Sequence, residues 1–108
     1  MTWTVETFSS DVDEELDQFD DAMLARLKRI RALVEQEGPQ ALRMPLARPL
    51  RNGLWELRLT GKNRIGRTIY LTFAGKRVVL LRGFIKKSEK TPAREIEIAW
   101  DRARKLMT

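Results

Sequence analysis

The sequence contains no cysteine and no histidine among its 108 residues. Without cysteine there is no disulfide, no thiolate-ligated zinc and no thiol nucleophile. Without histidine the commonest general base and metal ligand is gone, and with it every serine–histidine mechanism. Tyrosine occurs once, at Tyr70. Long apolar runs are missing as well. None exceeds four residues, as at Val78 to Leu81, far short of the roughly 20 residues that cross a bilayer. Met1-Thr2-Trp3-Thr4 has neither a basic start nor an apolar run, which argues against a signal peptide. The expectation is a cytoplasmic protein with no membrane partner. No internal repeat and no low-complexity segment is present.

What the sequence has in quantity is charge. Charged residues make up 33% and apolar residues 43%, a globular composition at a length that suits one domain over residues 1–108. There are 21 Lys and Arg against 15 Asp and Glu, a net charge of +6. The charge is divided unevenly. Residues 1–25 hold Glu6, Asp11, Asp13, Glu14, Glu15, Asp17, Asp20 and Asp21 and no base. All the bases lie in residues 26–108. Such asymmetry points to a polyanionic partner such as nucleic acid, or to an acidic protein. The plainer alternative is a solvated surface with an acidic helix start.

Hydrophobic spacing outlines the elements. Thr2 to Phe8 is rich in Thr, Val, Trp and Phe and suits a short strand. Ser9-Ser10-Asp11 offers helix caps. Leu16, Phe19, Met23, Leu27, Ile30 and Val34 then recur every three or four residues, as one face of a helix does. Asp20-Asp21 also suits a cap, so this stretch is one helix or two. Gly38-Pro39 ends it. Gln40 to Gly53, with Pro45 and Pro49, reads as an irregular surface connection. Three strand candidates follow: Leu54 to Leu59, Arg64 to Phe73 and Arg77 to Lys86. The short turns at Gly61-Lys62-Asn63 and Ala74-Gly75-Lys76 make them an antiparallel meander. Thr91 and Pro92 suit the N-cap and first position of a last helix. Ile96, Ala99, Trp100, Ala103 and Met107 are its apolar face. The fold class is α+β.

From Gly53 onward the chain also carries an ordered set of short motifs. They are Gly53-Leu54-Trp55-Glu56-Leu57-Arg58, Arg67-Thr68-Ile69-Tyr70, Leu80-Leu81-Arg82-Gly83-Phe84-Ile85-Lys86-Lys87, and Lys90-Thr91-Pro92 before an Arg-Glu-Ile-Glu helix. With Gly38-Pro39 and Arg48-Pro49-Leu50 upstream, this set resembles the phage-derived, HigB-like branch of the RelE superfamily of toxins. The resemblance spans essentially the whole chain. It implies a small RelE-like sheet flanked by helices. It also implies an endoribonuclease toxin held inactive by a cognate antitoxin, of helix-turn-helix type, and acting on messenger RNA, in many members on the ribosome. No cofactor and no metal are implied.

Cleavage of RNA by its own 2′-OH needs activation of that hydroxyl, charge compensation at phosphorus, protonation of the leaving oxygen and in-line geometry. With no histidine, Arg, Lys, Tyr and Glu must supply these. A cluster of cations offsets phosphorane charge and favours the neutral form of a lysine inside it.

Arg67 lies mid-strand among apolar residues, and a guanidinium there must find an anion or water. The resemblance gives it the phosphate-stabilising role, and pairing with Glu56 is the alternative. Arg58, Lys86, Lys87 and Tyr70 are the other catalytic candidates. Strict alternation puts Tyr70 on the face opposite Arg67, unless a bulge at Gly66 intervenes, so Tyr70 is either core or site. Phe84 shares a face with Lys86 and pairs a stacking surface with a cation. Lys90, Arg48, Arg51 and Arg82 are further RNA-binding candidates. Arg82 stands where relatives often place a histidine, which implies either slower chemistry or a purely electrostatic mechanism. Glu56 and Glu89 are each a base or a salt-bridge partner. Two other classes compete with the nuclease: a non-catalytic RNA-binding module or degenerate toxin, and a structural phage-derived protein that meets acidic protein.

Overall fold

The computed structural model describes residues 2–87 and 90–107. The elements run β1 (Thr4–Thr7), α1 (Ser10–Leu16), α2 (Asp21–Glu37), a 3-10 turn (Pro39–Ala41), β2 (Ala47–Pro49), β3 (Trp55–Thr60), β4 (Ile65–Phe73), β5 (Arg77–Ile85) and α3 (Ala93–Met107). The sheet order is β1-β5-β4-β3-β2. β2 to β5 pair antiparallel, and β1 pairs with β5 in parallel, so the sheet is mixed and five-stranded.

The expected α+β meander is present, with two additions. β1 joins the sheet as an edge strand. The stretch expected to be wholly irregular contributes β2, with Ala47 opposite Leu57, Arg48 opposite Glu56 and Pro49 opposite Trp55. Its prolines hid it. At a sheet edge, however, the missing N–H of Pro49 leaves no ladder bond unmade.

The acidic stretch forms two helices. Asp20 breaks them apart because its carboxylate accepts from the Met23 backbone N–H at 2.9 Å, which starts α2. Ser9 is extended at the α1 cap, yet its side chain makes no capping bond. α2 ends at Gly38, where φ is +89° and an added Cβ would sit 2.9 Å from Trp3 Nε1.

Two apolar layers flank the sheet. The stripe of Leu16, Phe19, Met23, Leu27, Ile30 and Val34 is buried against Leu57, Leu59, Tyr70, Val78 and Leu80 on one face. On the other face Ala99 and Ala103 of α3 pack on Leu54, Ile69, Val79 and Leu81. The α3 stripe needs one correction. Met107 is exposed, and Leu106, three residues after Ala103 and so on the same helical face, packs in its place.

Candidate functional site

The cross-strand register sets the site. Arg58 lies opposite Arg67, and Arg67 opposite Phe84, so these three form a row across β3, β4 and β5 on the α3 face. Side chains in such a row are neighbours at strand spacing, roughly 5 Å apart. Tyr70 lies opposite Trp55 and points to the other face, as alternation requires. The sheet does contain a bulge, at Leu81 in β5 rather than at Gly66. Ile69 pairs with Arg82 and Tyr70 with Leu80, which leaves Leu81 as the extra residue. Its carbonyl accepts from Arg102 Nη1 at 2.7 Å.

Arg67 is 4% exposed and forms a buried ion pair with Glu56, which is 1% exposed. The same carboxylate accepts from Arg48 Nε at 3.2 Å and from Thr91 Oγ1 at 2.6 Å, and Arg48 Nη2 donates to Thr91 Oγ1 at 2.9 Å. Thr91, just ahead of α3, gives its hydroxyl proton to this buried carboxylate. Pro92 supplies the first helical carbonyl, which accepts from Glu95 N at 3.0 Å. Around this network Glu56, Arg67, Phe84, Lys86, Lys90 and Pro92 line a crevice with no room for a water molecule. The alternative of Arg67 paired to Glu56 is thus the arrangement found, and the guanidinium does not face solvent. Its Nε is buried without a hydrogen-bond partner among the described residues.

Tyr70 is also core. It is 2% exposed and stacks on Trp55 with ring centroids 6.5 Å apart. Burial pushes its phenol up to about 12, the wrong direction for a base near neutral pH.

Arg82 is held in a different network. Its Nε donates to Glu95 and its Nη1 to Glu15, both at 2.7 Å. Glu15 also accepts from Arg102 Nη2 at 2.8 Å and from the Gly83 N–H at 3.0 Å. Burial pushes the Glu15 carboxyl up. The bonds from Arg102 and Gly83 and the charges of Arg82 and Arg102 outweigh it, so its pKa lies below the ordinary value. For Arg82, burial lowers the pKa but the bond to Glu95 and the charges of Glu15 and Glu95 raise it overall. Arg82 therefore ties α1, β5 and α3 together. Sequence reading missed Arg102 and this role of Glu15, because pairs 67 and 87 residues apart leave no local pattern.

The cations open to solvent lie elsewhere. Arg58, Lys87, Lys90 and Arg51 are exposed, and Lys86 is half-buried. Lys86 and Lys87 line a groove of about 610 Å³ with Lys62, Asn63 and Arg64 of the β3–β4 turn. The Lys86 N–H holds the groove wall by donating to the Ile65 carbonyl at 2.7 Å. Arg58 lines a second groove, of about 580 Å³, between α2 and the β2–β3 edge. The two grooves meet at Thr60. Lys86 and Lys87 are thus brought together, whereas Arg58 stands on the far side of Thr60. Glu89 lies outside the described residues.

Over residues 14–104 the sequence matches the family model described as Phage derived protein Gp49-like (DUF891). No curated protein matches it. Among solved structures the chain is similar to that of the E. coli toxin RelE, a double arginine-to-alanine mutant in the free state. The TM-score is 0.61 at 14% sequence identity, with 100% of both chains covered. At that identity the likeness is one of fold.

Proposed function

The chain belongs to the phage-derived Gp49-like family, and on that premise we propose that it is the toxin of a type II toxin–antitoxin system. It is read as one domain over residues 1–108, of the HigB-like branch, and as a metal-independent endoribonuclease that cuts messenger RNA on the ribosome. A cognate antitoxin of helix-turn-helix type holds it inactive. The observation that carries this reading is the groove of Lys62, Arg64, Lys86 and Lys87, which has no acid among the described residues of its lining and continues past Thr60 to Arg58. A phosphate backbone laid along it meets cations on both sides.

In the reaction the 2′-oxygen attacks phosphorus and the 5′-oxygen leaves, giving a 2′,3′-cyclic phosphate and a 5′-hydroxyl. Lys86 and Lys87 exchange protons with these two oxygens and Arg58 offsets the phosphorane charge. Lys90 and Arg51 hold the flanking backbone. Arg67 and Phe84 act from beneath the surface and Arg48 from its edge: the Glu56 network sets the end of β5, and so the position of Lys86. Tyr70 and Arg82 have structural roles.

The test is induced expression without the partner, followed by mapping of messenger RNA 5′ ends. New ends and growth arrest are expected, and Lys86→Ala with Lys87→Ala abolishes both while circular dichroism stays unchanged. Unchanged 5′ ends on induction overturn the nuclease reading.

A further inference from the structure

Helix α3 carries more apolar surface than its own sheet covers. Ala99 and Ala103 are fully buried on the sheet. On one flank Glu95 accepts from Arg82, and Arg102 donates to Glu15 and to the Leu81 carbonyl, which ties that side to α1 and β5. On the other flank Ile96 and Trp100 are only half-buried, and Met107 is 54% exposed. Leu50, Leu71 and Phe73, which join the same apolar layer, are half-buried as well. The reason is width. Five strands span roughly 20 Å and one helix covers about 10 Å of them, and α3 lies over β5 and β4. Ala93, Ile96, Trp100, Ala103 and Met107 recur at spacings of three, four, three and four. Such a row is the seam of a helix that packs against another helix. Glu97 and Arg104, both exposed and two turns apart, border it on the same side.

We propose that α3 pairs antiparallel with α3 of a second copy of this chain, about a twofold axis near Trp100. An interface of this kind uses one surface twice and must be complementary to itself. Trp100 then meets Trp100, and the long Met107 lies against Ala93 and Ile96. Glu97 of each copy falls beside Arg104 of the other. A parallel pair would set Glu97 on Glu97 and Arg104 on Arg104, so charge selects the antiparallel arrangement. The contact, on the order of 1,000 Å² in total, lies at the low end of specific interfaces, and the dimer dissociates in the micromolar range. None of the seam residues lines the Lys62–Lys87 groove, so dimerisation stands or falls independently of the toxin reading.

The test is sedimentation velocity of the whole chain across the micromolar range. A monomer–dimer equilibrium is expected. Glu97→Arg, at an exposed position, weakens it about tenfold, and Glu97→Arg with Arg104→Glu in the same chain restores it, because the swapped charges again meet their opposites. Met107→Lys places a charge in the seam and weakens it at least as much. Lys105→Glu, on the opposite side of α3, leaves it unchanged. Trp100→Ala abolishes it, with the exposed Glu97 and Arg104 variants carrying the test if that one fails to fold.

Three outcomes overturn the proposal. One is a chain that stays monomeric at every concentration. Another is a dimer that neither Glu97→Arg nor Met107→Lys weakens, or one that Glu97→Arg weakens and Arg104→Glu fails to restore. The third is a monomer that binds phospholipid vesicles, or an unrelated amphipathic helix, and loses that binding with Met107→Lys. It would give the seam to a membrane surface or to another protein.

Discussion

The charge on Arg67 is answered inside the protein rather than by a ligand. Glu56 sits opposite Ile69 in the register, one step from the Arg67 row, and β2 brings Arg48 over it from the other side. Breaking such a buried pair leaves one charge uncompensated, at a cost of about 3–5 kcal/mol. Glu56→Leu is therefore expected to lower the urea midpoint sharply, and Glu56→Leu with Arg67→Met to recover most of the loss. If the double variant unfolds as readily as the single one, the pair is not the source of the cost. Arg67→Ala alone is consequently an ambiguous probe of activity, which is why the lysines at the rim of the groove carry the functional test.

Tyr70 gives a second expectation. Its folded pKa is raised to about 12 from 10.0. The folded state keeps its proton where the unfolded chain has lost it. This contribution is intact below pH 10 and is lost as pH rises from about 10 to about 12. Tyrosinate absorbance in an alkaline titration checks it, and ionisation near 10 in the folded protein would contradict burial as the cause.

At the scale of elements, the helix pair and the last strand are locked by close approach and by charge. An added Cβ at Gly83 would lie 2.9 Å from Leu16 Cδ2 and 3.6 Å from Phe19 Cζ, so α1 rests directly on β5 there. Gly83→Val drives two methyls into that contact. It is expected to destabilise by about 1–3 kcal/mol, read by thermal or chemical unfolding. Glu15 fastens the same corner to Arg82 and Arg102. Its depressed pKa means that its stabilisation is present above the ordinary value of 4.5 and is lost as pH falls through the lower, folded value. Glu15→Gln is expected to lower stability at neutral pH and to flatten the acid limb of the stability profile. An unchanged acid limb would assign that limb to other carboxylates. The helical stripe, the break at Asp20 and the meander with its turns were legible from spacing and caps. β2 was not, because three residues with a proline give no periodicity. The bulge at Leu81 was not either: its carbonyl accepts from Arg102, a partner 21 residues further on that no local pattern announces.

Over the whole molecule, the uneven charge acquires a different meaning. The acidic first quarter is not set apart from the basic remainder. Glu15 binds Arg82 and Arg102, Glu6 binds Arg77, and Asp20 accepts from the Lys62 N–H at 3.3 Å. The ion pairs neutralise Arg77 and Arg82 of β5 and Arg102 of α3, Asp20 sits beside the β3–β4 turn, and the described lining of the Lys62–Lys87 groove holds no acid. Affinity for single-stranded RNA is therefore expected to fall with salt at a log–log slope of about −0.7 per phosphate neutralised. Lys62→Ala with Lys87→Ala should make that slope shallower by one to two such steps, and a slope unaltered by both would place the RNA elsewhere. By itself the sequence determined the fold class, the two apolar layers and the residue chemistry at hand. Those follow from local periodicity, caps and composition, which neighbours in the chain impose on one another. Only the tertiary structure decided which cations are spent inside and which face solvent. Arg67, expected to meet phosphate or Glu56, is paired to Glu56, and Arg82, an RNA-binding candidate, is paired to Glu15 and Glu95, while Arg26 and Arg29, which no motif singled out, line a groove. The reason is physical: a buried guanidinium needs its anion, and that anion comes from strands and helices far apart in the chain, so no local pattern announces it.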